Sequence, residues 1–90
     1  MIDAEYYISG KVQGVFFRKY AQEYALAHKL VGFVKNLPDG RVYAVCQGEL
    51  PDIEQIEGWM HYGPAGAHVE AVESNARQIS HPEYEGFEIR

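Results

Sequence analysis

Cysteine is almost absent from this sequence, since Cys46 is the only one in 90 residues. A lone cysteine excludes an internal disulfide and is typical of proteins in a reducing compartment. Residues 1–5 have neither a basic start nor an apolar run, so they do not resemble a secretion signal. No apolar stretch approaches the length of a membrane span. We therefore expect a soluble cytoplasmic protein without a membrane partner.

Positive charge is also scarce, because 8 Lys and Arg residues stand against 13 Asp and Glu residues and give a net charge of −5. A negative surface repels nucleic acid, so no nucleic-acid partner is expected. An anion site in such a chain would have to focus a few donors on one hollow. The four histidines lack the local spacing of metal ligands, and we expect neither a metal site nor another cofactor.

The hydrophobic content, 47%, is enough for one core, and no linker or repeat divides the chain. We therefore expect a single domain over residues 1–90. The predicted strands cover residues 4–10, 31–37, 41–48, 69–79 and 87–89, and the predicted helices cover 18–30 and a segment from 51 onward. This order, βαββαβ with a short last strand, indicates an α+β ferredoxin-like (split βαβ) sandwich. Two helices would then pack on one face of an antiparallel sheet.

The stretch Gly10-Lys11-Val12-Gln13-Gly14-Val15-Phe16-Phe17-Arg18 connects the first predicted strand to the first predicted helix. The first N–H groups of a helix have no intrahelical partner, and the helix dipole makes that end electropositive. Gly14 allows a bend that points several N–H groups into one hollow, and Arg18 adds a fork of donors that matches phosphate oxygens. The stretch indicates a phosphate-binding loop, although a plain strand-to-helix turn with a solvated arginine has the same pattern.

A second stretch, Gly32-Phe33-Val34-Lys35-Asn36-Leu37-Pro38-Asp39-Gly40, follows in the chain. Together the two stretches resemble the signature of the acylphosphatase family, small metal-independent hydrolases of carboxyl-phosphate bonds. The family pattern Gly-x-Val-Gln-Gly-Val-x-Phe-Arg is filled by residues 10–18, and the pattern Gly-x-Val-x-Asn-x-x-x-Gly is filled by residues 32–40. The resemblance implies the ferredoxin-like fold and the hydrolysis of small acyl phosphates to a carboxylate and orthophosphate.

The same resemblance implies two catalytic residues, Arg18 to bind the substrate phosphate and Asn36 to orient the attacking water. The residues implied in phosphate binding are Gln13, Gly14, Val15, Phe16, Phe17 and Arg18. An asparagine amide is a poor base, but a carboxylate leaving group and a metaphosphate-like transition state need little acid or base catalysis. From the residues alone, Asn36 could equally serve only to begin the turn that ends at Gly40. Phe16 occupies a variable position, and nothing in residues 10–40 specifies the acyl side.

Two other interpretations stay open. A ferredoxin-like domain can be a binding module for RNA or a regulatory small molecule, without turnover, because this fold supports many functions. Tyr6, Tyr7 and Tyr43 could supply the aromatics that RNA binding requires, but the net charge of −5 opposes it. The phosphate loop could also belong to a protein that chiefly binds a phosphorylated partner. We expect a monomer, and we expect Cys46 to be a buried structural thiol rather than a nucleophile.

Overall fold

The computed structural model describes residues 1–90, which form five strands and two helices. These are β1 (Ile2–Lys11), α1 (Phe17–Ala27), β2 (Val31–Asn36), β3 (Val42–Gly48), α2 (Leu50–Met60), β4 (His68–Gln78) and β5 (Phe87–Ile89). The predicted order of elements is confirmed, with bounds that shift by at most three residues. Neither helix is long and apolar enough to cross a membrane.

The strands form one sheet in the order β4-β1-β3-β2-β5. β1 pairs antiparallel with β3 and β4, and β2 pairs antiparallel with β3. β5 pairs parallel with β2, so the five-stranded sheet is mixed rather than wholly antiparallel. Residues 79–86 lead from β4 at one edge to β5 at the other, and this crossing gives β5 the same direction as β2. The predicted ferredoxin-like arrangement is confirmed, with one parallel pair added at its edge.

A single apolar cluster lies between the sheet and the two helices. It takes alternate side chains of β1 and β3 together with one face of each helix. Fully burying one large aliphatic or aromatic side chain in such a cluster stabilises the fold by about 1.5–3 kcal/mol. Phe17, the first residue of α1, is 2% exposed, and its ring lies 5.1 Å from that of Trp59. The core thus fixes the start of α1, where the phosphate loop was predicted.

The end of α1 differs from the predicted helix over 18–30. The helix ends at Ala27, and Lys29 adopts a left-handed backbone with φ 59°. The N–H of Leu30 donates to the carbonyl oxygen of Ala25 at 2.9 Å, and that of Lys29 donates to Leu26 at 3.3 Å. These two bonds make a Schellman motif, which usually has glycine at the left-handed position. A lysine there gives no sequence signal for the helix end.

The bend that leads from β1 into the loop depends on Gly10. Its φ is +120°, and a Cβ on this residue would overlap the main-chain oxygen of His68 on β4. The register between β1 and β4 shifts between Ser9 and Gly10. Only glycine allows both this backbone conformation and this close approach of two strands.

Cys46 lies in the core as a free thiol with no exposed surface. Burial, with a smaller contribution from Asp3, raises the pKa of this thiol to about 12. Because only the thiolate reacts, a group with this pKa is ionised to about one part in 10⁴ at about pH 8.

We expect Cys46 to react with a thiol reagent at about pH 8 only after the protein is unfolded. The reaction of Cys46 with the reagent, followed spectrophotometrically with and without denaturant, checks this expectation. A Ser80→Cys variant, whose new thiol lies at an exposed position, serves as the positive control. Rapid labelling of Cys46 in the folded parent protein would contradict a structural role in the core.

Candidate active site

The loop between β1 and α1 curls around the start of the helix. Gly14 and Phe16 both have a left-handed backbone, with φ 76° and φ 62°. The first hydrogen bond of α1 runs from the N–H of Tyr20 to the carbonyl oxygen of Phe16 at 3.1 Å. The N–H groups from Gly14 to Lys19 donate to no acceptor within the protein. They are free donors at the electropositive end of a helix, where anions bind readily.

A hollow of about 280 Å³ lies at this helix start. It is lined by Gly14, Phe16, Phe17, Arg18 and Lys19, together with Asn36 from the end of β2. β3 lies between β1 and β2 and pairs antiparallel with both. The carboxyl ends of β1 and β2 therefore lie at the same end of the sheet. The topology therefore brings Arg18 and Asn36, the two residues expected to be catalytic, to one hollow. Gln13 and Val15 are not among the lining residues, and their predicted part in phosphate binding would be through main-chain N–H groups.

Arg18 is half-buried in the first turn of α1. Its Nη1 donates to the main-chain oxygen of Arg90 at 3.1 Å, and the N–H of Arg90 donates to Val34 at 2.8 Å. One donor of the guanidinium is thus held by the chain that follows β5, and the others are available to a ligand. This contact orients the guanidinium before any ligand binds, and such preorganisation strengthens charge stabilisation.

Asn36 is the last residue of β2 and lies opposite Val42. Its side-chain amide has no hydrogen-bond partner within the protein, although it lines the hollow. The turn after it is closed by other groups. The N–H of Leu37 donates to the carbonyl oxygen of Arg41 at 2.8 Å, and the N–H and side chain of Arg41 donate to Asp39. The hydrogen bond from the main-chain N–H of Arg41 has the largest effect on the pKa of Asp39, which it lowers. The hydrogen bond from the Arg41 side chain lowers this pKa further. The turn therefore does not use the Asn36 side chain.

Gln13 ties the loop to the β2–β3 turn. Its Nε2 donates to the main-chain oxygen of Leu37 at 2.8 Å and to that of Arg41 at 2.9 Å. The glutamine thus joins the phosphate loop to the segment that directly follows Asn36. This contact could not be predicted from the sequence, because the acceptors are 24 and 28 residues away along the chain.

Replacing Gln13 by alanine should lower the free energy of unfolding by about 1–3 kcal/mol, because two hydrogen bonds are lost. The turnover rate should fall about tenfold, since the loop and Asn36 lose their common brace. Urea unfolding and steady-state kinetics measure the two effects. Gln22→Ala is a matched control, because Gln22 makes one comparable hydrogen bond, to Phe87 at 2.9 Å, but does not line the hollow. It should lower stability without changing turnover, whereas an unchanged Gln13→Ala protein would contradict the bracing role.

Residues 4–89 match the family model of the acylphosphatases. The chain belongs to the acylphosphatase family. The acylphosphatase of Rubrobacter xylanophilus is 46% identical over 84 residues, covering 93% of this chain and 76% of that protein. That of Nitrosococcus oceani is 45% identical and covers 92% of this chain and 91% of its own length. The crystal structure of acylphosphatase from Bacillus subtilis has a TM-score of 0.94 at 29% identity, covering 100% of this chain and 99% of that one. The predicted family, enzyme class and fold are confirmed.

The hollow of this acylphosphatase-family chain includes three residues that are not among the predicted site residues. Lys19 adds a second cation beside Arg18, and no carboxylate is among the lining residues. The hollow is thus locally positive in a chain with a net charge of −5. Val12 and Ile89 add apolar surface. The position of Lys19 in the first helical turn was visible in the sequence, but Ile89 is 53 residues beyond Asn36 and gave no signal.

Proposed function

We propose that this chain hydrolyses the carboxyl-phosphate bond of small acyl phosphates to a carboxylate and orthophosphate. The supporting observation is that Arg18, the free N–H groups of the loop and the unpaired amide of Asn36 meet at one hollow. Membership of the acylphosphatase family supplies the enzyme class.

The phosphate group is held by the N–H groups from Gln13 to Arg18 and by the guanidinium of Arg18. These donors face the equatorial oxygens, whose charge must be stabilised while the bond to the acyl oxygen breaks. Lys19 adds positive potential at the same place. The donors need little rearrangement, because Phe17 is anchored in the core and Arg18 already contacts Arg90.

The attacking water is oriented by Asn36, whose amide oxygen accepts a hydrogen bond from it. The water oxygen bonds to phosphorus in line with the acyl oxygen, and the breaking P–O bond leaves its electron pair on the carboxylate. One water proton stays on the new hydroxyl and the other moves to a phosphate oxygen, so the products are a carboxylate and dihydrogen phosphate. A carboxylate is a stable leaving group, so the step needs no acid, nucleophilic side chain or metal.

The proposed enzyme acts as a cytoplasmic monomer on a small molecule and has no nucleic-acid partner. The net charge of −5 and the single buried cysteine support this setting. All groups proposed to act on the phosphate come from one chain.

Hydrolysis of benzoyl phosphate in the presence of a chelator tests the proposal. We expect turnover that the chelator does not change. Turnover abolished by the chelator would contradict the metal-independent step. A folded protein with no turnover would favour the other interpretation, a module that binds phosphate without hydrolysis. Titration with inorganic phosphate would then measure that binding.

A further inference from the structure

Phe16 is an unusual residue at the position it occupies. It is the residue that precedes α1, where serine, threonine, asparagine, aspartate or glycine is favoured, and its side chain makes no capping hydrogen bond. Its backbone is left-handed, with φ 62°, which costs conformational energy for any residue with a Cβ. Phe16 is 71% exposed, so burial in the core does not offset that cost. Neither capping nor packing accounts for a phenylalanine here.

Phe16 is one of the residues that line the hollow, together with Arg18 and Asn36. Ile89, from β5, lines the same hollow and is 43% exposed. Both are apolar side chains that face solvent, and they come from two different parts of the fold. The other apolar lining residues, Val12 and Phe17, are buried and belong to the core. The hollow therefore combines a group of phosphate donors with an exposed apolar pair.

We infer that Phe16 and Ile89 form an apolar subsite for the acyl group of the substrate, so that large apolar or aromatic acyl phosphates are favoured over acetyl phosphate. This inference rests on the proposed function. An acyl phosphate has the same two parts as the hollow, a dianionic phosphate and an organic group joined through one carbonyl carbon. With the phosphate at the loop N–H groups, an adjoining apolar acyl group gains contact with the exposed ring and loses contact with water.

The main chain of Phe16 belongs to the same group of donors. Phe16 has a left-handed backbone, and its N–H, like those of the other loop residues, donates to no acceptor within the protein. One residue can then contribute a main-chain donor for the phosphate and a ring for the acyl group. Truncation of the side chain removes the second contribution and keeps the first.

The test compares kcat/KM for benzoyl phosphate with kcat/KM for acetyl phosphate in the parent protein and its variants. We expect the parent to favour benzoyl phosphate and the ratio to fall about tenfold in Phe16→Ala, in the range found for apolar contacts in specificity pockets. The loss should come mainly from a higher KM for benzoyl phosphate, because the contact is made equally in the ground and transition states. Phe16→Leu should keep part of the ratio, and Ile89→Ala should lower it about threefold.

Two further variants separate the subsite from an effect on the loop. Phe16→Asn has a side chain that tolerates the left-handed backbone but offers no apolar surface, so it should lose the ratio as Phe16→Ala does. Tyr62→Ala removes another exposed aromatic, 80% exposed and outside the hollow, and should leave the ratio unchanged. The inference would be overturned if kcat/KM fell equally for both substrates in Phe16→Ala, or if Phe16→Asn kept the parent ratio of kcat/KM values. A parent protein that hydrolyses neither substrate would instead overturn the proposed function.

Discussion

Replacing Arg18 by alanine should lower kcat/KM for benzoyl phosphate by about 10³-fold or more, the scale found for arginines that stabilise phosphoryl transfer. The side chain supplies both charge and a planar fork of donors at the phosphate site. The loop N–H groups remain in the variant, so some phosphate affinity should persist. The fold should survive, because the side chain is half-exposed and makes a single hydrogen bond, to Arg90.

The Arg18→Lys variant should recover only a small part of the lost rate, because an ammonium keeps the charge but not the bidentate geometry. Arg77→Ala is the matched control. This arginine is on β4, forms exposed ion pairs with Asp3 and Glu83, and does not line the hollow. Its loss should leave turnover unchanged. A folded Arg18→Ala protein that keeps a tenth of the parent rate would be incompatible with the proposed phosphate site.

Replacing Asn36 by alanine should lower kcat by about 10²–10³-fold with little change in KM, as for the loss of one well-placed polar group in an active site. The amide is proposed to act on water rather than on the phosphate, so substrate binding should be kept. Stability should also be kept, because the turn after Asn36 is closed by Leu37, Asp39 and Arg41. Steady-state kinetics and urea unfolding of the purified variant measure these quantities.

Asn75→Ala provides the comparison for Asn36, since this asparagine is exposed on β4 and lies opposite Glu5. It should have the parent kcat and KM. A higher KM with an unchanged kcat in Asn36→Ala would make Asn36 a binding residue instead. If only Arg18→Ala loses activity, the phosphate site remains supported and the water-orienting role of Asn36 is wrong.

Several features of the site could be predicted from the sequence because they depend on neighbouring residues. Glycine at positions 10 and 14, the arginine at position 18 and the asparagine at position 36 form local patterns, and these patterns led to the family that the comparison confirms. Strand and helix periodicity likewise predicted the order of elements. The end of α1 escaped prediction because Lys29 takes the left-handed position that glycine usually marks.

The tertiary structure decided which distant groups meet. The sequence predicted β5 but not its parallel pairing with β2. It also gave no indication that Gln13 forms hydrogen bonds with Leu37 and Arg41. It left two possible roles for Asn36, and the closed turn shows that the turn does not require its side chain. The exposed pair of Phe16 and Ile89, 73 positions apart, became visible only at the hollow. Local patterns encode turns, periodicity and donor types, whereas contacts over such separations depend on how the strands and helices pack around one core.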